Sequence, residues 1–292
     1  MPPFKELVLL LLFLSDTQPP LWIETLLLSR TNNETATQAI FANVAAETTA
    51  AAVFHLGDMT SAGTSSDDWN LVEQDIAPLR KRHIPFYPTY GNHEYLWVSW
   101  LAKAMYLRHF PSFASGWYTT HIGNAAVILL NSNVGRLSSQ EWQTQCTWYR
   151  RQLAELDRDT SVSVVIVGTH HPPFTNSTII DPSEDVLCDF VPPYIASKKA
   201  RLFISGHAHA LEHFRQQGKD FLVIGGGGGL QHPLLQGSEE RTHDIRPHEQ
   251  RFESFHYLAC SITADSVILQ PRMLDADGKH FTTPYRFAIA IR

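Results

Sequence analysis

Five short polar motifs hold the residues best suited to chemistry: Ser15-Asp16-Thr17-Gln18, Gly57-Asp58, Gly91-Asn92-His93-Glu94, His170-His171-Pro172 and Gly206-His207-Ala208-His209. Each follows directly on an apolar run. Their side chains offer imidazole nitrogen, carboxylate and amide oxygen with no thiolate, a set that suits hard-to-borderline divalent metals. Alternate residues of an extended segment project to one side, so the two imidazoles of Gly-His-x-His can meet one ion. Taken singly, a Gly-Asp is usually a turn, and a lone histidine more often satisfies a core hydrogen bond. All five in this order, each at a strand end, point to a metal centre. Two divalent cations about 4 Å apart repel by ~16 kcal/mol at an effective dielectric of about 20. A bridging carboxylate and a bridging hydroxide offset that repulsion. Two aspartates and one hydroxide against four positive charges leave a net positive charge for an anionic ligand.

Rival motifs fail on inspection. His93-Glu94 and His248-Glu249 begin like H-E-x-x-H, but positions 97 and 252 are Trp and Phe. No EF-hand loop, phosphate-binding P-loop or G-x-S-x-G elbow occurs. The run Gly225–Gly229 does not complete G-x-G-x-x-G and leads to His232-Pro233, not to a helical pattern. It is read as backbone that needs tight curvature or close approach to a neighbour.

The elements that must position these motifs alternate through the first half of the chain. Leu7–Leu14 is followed by a helix over Thr35–Thr49, a strand at Ala51–Leu56 and a helix over Asp68–Arg82. Further strands are expected at Pro85–Tyr90, Ala125–Leu130, Val162–Val167 and Leu202–Ile204. The helix Ser139–Asp157 is the clearest, with Trp142, Cys146, Tyr149, Leu153 and Leu156 on one face and a capping box at Ser138 and Glu141. From Phe221 the pattern turns to strands: Phe221–Ile224, His256–Thr263, Ser266–Leu274 and Tyr285–Ile291, with Asp277-Gly278 as a turn. A βα half followed by a β-rich half implies two packed sheets with helices outside. Polar residues beyond the carboxyl ends of such strands converge on one rim. No repeat or long linker interrupts the 292 residues, so a single domain over 1–292 is expected.

Composition bounds the rest. The apolar fraction of 43% and charged fraction of 18% exclude disorder. A net charge of −6 gives no global attraction for a nucleic-acid duplex or a membrane surface. Three widely spaced cysteines outline no disulfide framework. The apolar run Leu7–Leu14 is too short to span a bilayer and lacks a small-x-small cleavage site, so it is read as a buried strand. On that reading the chain is cytoplasmic, and the sequons at Asn33 and Asn176 carry no meaning.

The order D…GD…GNH[DE]…H…GHxH resembles that of the calcineurin-like metallophosphoesterases, which include the purple acid phosphatases. The motifs run from Asp16 to His209. The resemblance implies an α/β fold, a four-layer α/β/β/α sandwich of two mixed sheets, with the Gly-rich strand end and the C-terminal strands similar to the family's second sheet. It implies two metal ions (Mn, Fe, Zn or Co) and hydrolysis of a small phosphorylated substrate, most readily a monoester, by in-line attack of a bridging hydroxide. Asp58 would bridge both ions; Asp16 and His209 would bind the first; Asn92, His170 and His207 would bind the second. His93 would face the substrate without binding metal, and His171 is a secondary candidate. Two positions depart from the pattern. Gln18 stands where D-x-H often places histidine, so the first ion takes Gln18 or water as its fourth ligand. Ser61 stands where purple acid phosphatases carry an iron-binding tyrosine, which removes the basis for a purple chromophore. Two alternatives remain: a phosphodiesterase acting on nucleotide or lipid head-group esters, and a non-catalytic scaffold on the same fold. Substrate choice would lie in loops such as Gln236–Ser254, read here as solvated.

Overall fold

The computed structural model describes residues 8–21, 33–246 and 254–291. The N-terminal apolar run forms strand β1 (Leu9–Leu14), and its continuous hydrophobicity reflects burial on both faces. With the period-two alternation of a strand, Leu11 and Phe13 point between two sheets, while Leu10, Leu12 and Leu14 point into a helical layer. β1 runs parallel to β2 (Ala50–His55) and antiparallel to β10 (His256–Ile262). β3 (Phe86–Pro88) extends the sheet beyond β2. β11 (Ser266–Leu274) pairs with β10, β12 (Phe281–Thr282) and β13 (Phe287–Ala290), giving the order β12-β11-β10-β1-β2-β3 with β13 on β11.

The second sheet contains β4 (Tyr118–Ile122), β5 (Ala125–Leu129), β6 (Val164–Gly168), β7 (Ala200–Ser205), β8 (Leu211–Gln216) and β9 (Lys219–Ile224), in the order β4-β5-β6-β7-β9-β8. Its four inner strands are parallel, and the edge strands β4 and β8 are antiparallel to their neighbours. Between the sheets lie Leu11, Phe13, Phe54, Val127, Ile166, Ile204 and Leu258, all fully buried. Helices α1 (Asn33–Ala46), α2 (Ser66–Lys81) and α3 (Ser99–His109) cover the outer face of the first sheet through Ile40, Val72, Ile76 and Tyr106. Helices α4 (Ser139–Arg158), α5 (Glu184–Asp189) and α6 (Val191–Ala196) cover the second through Tyr149, Leu153, Val186 and Tyr194. The result is a four-layer α/β/β/α sandwich. At the start of α4, the Ser138 side chain accepts from Glu141 N while the Glu141 carboxylate accepts from Ser138 N, as the capping-box spacing implies.

The structure departs from the sequence expectations in four places. The strands from His256 onward join the first sheet beside β1, because β1 is apolar throughout and needs a partner along both edges; only β9 belongs to the second. The strand expected over Pro85–Tyr90 is three residues long, since the chain leaves the sheet after Pro88 to form the site loop. Helices α3, α5 and α6 and strands β4, β8 and β12 lie outside the sequence expectations. The segment after Gln236 is also held more firmly than a solvated loop. Arg241 N and Thr242 N donate to Asn176 Oδ1, and Asp244 bridges to Phe214; residues 247–253 lie outside the described residues. Asn33 and Asn176 are both buried, their side-chain amides donating to Gly228 O and Thr242 O. Among the described residues no helix is long and apolar enough to cross a membrane. The three cysteines are unpaired.

The central position of β1 makes its outward leucines sensitive to truncation. Leu12→Ala is expected to destabilise the protein by about 2–5 kcal/mol, measured as a lowered urea midpoint with unchanged m-value.

Candidate metal centre

The polar motifs leave the carboxyl ends of strands in two different sheets. Asp16, Asp58 and Asn92-His93 follow β1, β2 and β3, whereas His170 and His207–His209 follow β6 and β7. Asp16, Asp58 and His207 adopt left-handed backbone, with φ of 58°, 58° and 65°. Such conformations are uncommon for residues with a Cβ and concentrate at functional sites. The turns are locked to one another: Asp16 N donates to Gly57 O at 3.0 Å, and Gly229 N donates to Asp16 O at 2.8 Å. His207 N donates to both Asp16 carboxylate oxygens, at 3.1 and 2.9 Å, which joins one sheet's rim to the other's.

Around His170 the acceptors face one another. Nδ1 lies 3.0 Å from Leu56 O and must donate there, which leaves Nε2 as the lone-pair nitrogen of the neutral ring. Nε2 nevertheless sits 2.9 Å from Asn92 Oδ1 and 3.2 Å from Asp58 Oδ2. Three lone-pair atoms converging in a buried site require a proton or a cation between them. Without a metal the proton takes that role: burial opposes the charge, but the Asp58 carboxylate raises His170 to about 9. Burial also works against the Asp58 charge, yet His170 and His93 hold that carboxyl far below its ordinary value. The His207 ring lies 4.9 Å from that of His170 and 4.5 Å from that of His171. Burial and these two neighbours push His207 well below the ordinary value. One ligand atom each from His170, His171 and His207 lie within 4.8 Å of one another, as do those of Asp16, Asp58 and His170.

The other half of the centre contains Asp16, His209 and Gln18. His209 Nδ1 donates to Leu230 O at 2.6 Å, and Nε2 lies 3.4 Å from Asp16 Oδ1 and 3.4 Å from Gln18 Nε2. Gln18 Oε1 is buried and has no hydrogen-bond partner. An orphaned amide oxygen beside a carboxylate and an imidazole fits a cation, and a 180° turn of the amide exchanges its oxygen and nitrogen. His93 stands apart from both groups: its Nδ1 lies 2.8 Å from Ser61 O, and its Nε2 is 3.9 Å from Asp58 Oδ2. The Ser61 hydroxyl is engaged by Asp68.

Several supporting residues escaped the sequence reading. Glu94, fully buried, accepts from the backbone N–H groups of Asp58, Met59, Thr60 and Gly91 and so fixes the turn that carries Asp58 to the turn that carries Asn92. Burial and the Asp58 charge push Glu94 up to about 7, while the peptide donors pull it down. Its position in Gly-Asn-His-Glu was visible, but its partners are peptide groups, which side-chain patterns do not reveal. His55 accepts from Gly57 N through Nδ1 and faces Thr17 Oγ1 through Nε2; burial lowers it to about 3. His232 stacks on His209 at 4.4 Å, and Ser132 Oγ contacts both His171 Nδ1 and His171 N. Close approach explains two glycine positions. A Cβ on Gly91 would fall 2.1 Å from Asp58 Oδ1, and one on Gly229 would fall 2.3 Å from the His209 ring. Along the Gly225–Gly229 run the other glycines pass equally close to Ala208, His256, Ser15 and Thr37, as the close-approach reading implies.

A two-sheet sandwich with aspartate, asparagine and histidine at the facing strand ends is the architecture of the metallophosphoesterases. The calcineurin-like phosphoesterase model matches residues 9–211, and the chain belongs to that family. No curated protein matches the sequence. Among solved structures, the fold is similar to GAP50 of Plasmodium, described as the anchor in the inner membrane complex, at 14% identity and a TM-score of 0.71, covering 98% of this chain and 89% of that one. It is similar to the purple acid phosphatase PPD1 of yellow lupin (Lupinus luteus) at 16% identity and a TM-score of 0.70, covering 98% of this chain and 54% of the lupin enzyme. A dimetal phosphatase of Danio rerio matches at 13% identity and a TM-score of 0.63, covering 97% and 99%.

Removing the Glu94 carboxylate strips four buried peptide N–H groups of their acceptor. With about 1–3 kcal/mol for each group left unsatisfied, Glu94→Ala is expected to destabilise the protein by at least ~3 kcal/mol. Metal retention after gel filtration should fall as well, because the Asp58 turn is released. Wild-type stability in this variant would contradict the role given to Glu94.

Proposed function

We propose that the protein is a dinuclear metal-dependent phosphoesterase that favours monoesters. The observation that carries the reading is the convergence of two oxygen acceptors, Asn92 Oδ1 and Asp58 Oδ2, within 3.2 Å of the lone-pair nitrogen His170 Nε2, with His170 and Asp58 buried, an arrangement that a proton or cation satisfies. On this reading Asp58 would serve both ions, Asn92, His170 and His207 would hold one, and Asp16, His209 and Gln18 would hold the other. Bound metal ions supply Lewis acidity for the phosphoryl oxygens and activate water. What the chain itself adds is charge balance, orientation and a proton. Asp16 and Asp58 neutralise part of the metal charge, leaving an excess that attracts an anionic ester. His93, with Nδ1–H held by Ser61 O, presents Nε2 on the side of Asp58 and can deliver a proton to the departing oxygen.

A non-catalytic scaffold would be free to lose ligands or His93, whereas this chain keeps His93 and the candidate ligands Asp58, Asn92, His170 and His207. With Ser61 in the tyrosine position and its hydroxyl turned to Asp68, no iron–tyrosinate chromophore is expected.

Chelation should abolish hydrolysis of a panel of mono- and diesters, and Mn, Fe, Zn or Co should restore it. Asp58→Ala is expected to be the most damaging ligand change, because it leaves the repulsion between the two ions uncompensated. Full turnover by metal-stripped protein, or no turnover with any metal, would exclude the proposal.

His93 is tested by leaving group. His93→Ala should cost about 10²–10⁴ in kcat for an alkyl phosphate, much less for nitrophenyl phosphate, and nothing in metal content. A uniform loss across leaving groups would assign His93 to charge stabilisation of the phosphoryl oxygens, and loss of metal would assign it to structure.

A further inference from the structure

His171 sits within the centre, yet its ring is held differently from those of His170 and His209. Its centroid lies 4.9 Å from that of His170 and 4.5 Å from that of His207. One ligand atom of each of these three rings lies within 4.8 Å of the others. His170 is buried, whereas His171 and His207 are partly exposed, so these two rings stand on the side where the centre opens. For His170 and His209 the partner of Nδ1 is a carbonyl, which only accepts, so Nδ1 carries the proton and Nε2 the lone pair. For His171 the partner is a hydroxyl. Ser132 Oγ accepts from His171 N at 2.9 Å and lies 2.8 Å from His171 Nδ1. Ser132 is buried, and among the described residues its Oγ makes these two contacts. The peptide N–H only donates, so the hydroxyl proton is left with Nδ1 as its acceptor. The neutral ring of His171 therefore carries its proton on Nε2, the reverse of His170 and His209. A protonated Nε2 is no metal ligand; it is a hydrogen-bond donor. The support behind it is rigid. In the loop after β5, Asn131 N donates to Gln145 Oε1 at 2.7 Å, and Gln145 Nε2 donates back to Asn131 O at 2.9 Å. Asn133 Nδ2 donates to Tyr90 O at 3.1 Å, at the start of the turn that carries Asn92. Thr169 Oγ1 donates to His171 O at 3.0 Å. A strand end that supplies no candidate ligand is thus fastened to α4 and to the Asn92 turn, and it orients His171.

Resting on the phosphoesterase reading, we infer that His171 is a substrate-binding residue whose Nε2–H donates to a phosphoryl oxygen, with Ser132 as the positioning residue that fixes its tautomer. An ionised phosphoryl group presents acceptors, so a fixed N–H donor beside the ions suits it where a further lone-pair nitrogen would not. The donor is neutral and leaves the charge balance of the ions and aspartates unaltered. Because the loop after β5 already holds the ring, the hydrogen bond forms without reorganisation of the site.

The test titrates inorganic phosphate into the zinc-loaded full chain by calorimetry. His171→Ala should weaken phosphate binding about tenfold to a hundredfold, with zinc content unchanged by elemental analysis. His171→Gln, whose amide nitrogen restores a donor at similar reach, should recover most of the affinity. The tautomer is read from long-range proton–nitrogen spectra of metal-stripped protein labelled with ¹⁵N-histidine, the His171 signals being those lost in His171→Gln. They should show the proton on Nε2 in the wild type and a mixture of tautomers in Ser132→Ala. At equal populations of the two tautomers, Ser132→Ala should weaken phosphate binding about twofold. A wild-type proton on Nδ1 would overturn the inference, as would phosphate affinity that His171→Ala leaves unchanged or that the wild type lacks. Zinc lost from His171→Ala would overturn it too, by making His171 a ligand. If phosphate binds through His171 but no ester is hydrolysed, the phosphoesterase reading fails and the donor role stands.

Discussion

Everything at the site depends on keeping lone pairs pointed at one another at the meeting of two sheet edges. His170 Nε2, Asn92 Oδ1 and Asp58 Oδ2 lie within hydrogen-bonding distance with no intrinsic donor among them, and the Asp16 carboxylate and His209 Nε2 face each other nearby. Such an arrangement is unfavourable in the absence of a positive charge, so the rest of the molecule must hold it. The two sheets do so by packing on a common apolar layer, which fixes the separation of their carboxyl ends. Side chains from β1, β2 and β3 then meet those from β6 and β7 without any single strand carrying the whole set.

The means of holding are mainly backbone. The left-handed turns at Asp16, Asp58 and His207 aim side chains where an ordinary strand continuation would not. Glu94 gathers the peptide N–H groups of the Asp58 turn and of Gly91, and His55 accepts from Gly57 N and faces Thr17 Oγ1 beside Asp16. Two of the proposed ligand imidazoles have Nδ1 tied to a main-chain carbonyl, Leu56 O for His170 and Leu230 O for His209, which sets the tautomer and leaves Nε2 for the centre. Gly91 and Gly229 contribute by lacking a Cβ where the ligands pass.

How much of this is legible in the sequence follows from where the information resides. Long buried elements announce themselves: β1 by an unbroken apolar run, α4 by a helical stripe and a capping box. The motifs Gly57-Asp58, Gly91-Asn92-His93-Glu94 and Gly206-His207-Ala208-His209 were visible because their chemistry lies in side chains at strand ends. Helix α3 was not, since it buries only Ala102, Met105 and Tyr106 and displays Trp100 outward. β8 (Leu-Glu-His-Phe-Arg-Gln) carries buried Glu212 and His213, which disguise it as a polar segment. Their burial is compensated at a distance, by Thr175 and Asn176 N for Glu212 and by Asp220 and Tyr285 for His213. The supporting role of Glu94 was hidden for the same reason: its partners are peptide groups that no residue pattern encodes. The placement of the C-terminal strands beside β1 was likewise set by the need of a fully apolar strand for two neighbours, a requirement of the sheet and not of the strands themselves.

The two halves of the centre are not equivalent, and the difference traces to single residues. The half around His170 draws on Asn92, His170 and His207, with His171 close behind. The half around Asp16 has one imidazole, from His209, and the neutral amide of Gln18 in place of a second. An amide oxygen is a weaker partner than imidazole for a borderline metal and brings no charge. Ser61, turned toward Asp68, cannot make up the deficit from the other side. What Ser61 does supply is its carbonyl, which fixes His93. The loop following Asp58 thus contributes a backbone acceptor at Ser61. That contact, with His93 N donating to Asp58 Oδ1, binds the orientation of the proposed proton donor to the turn that carries Asp58, so a shift in one is felt by the other.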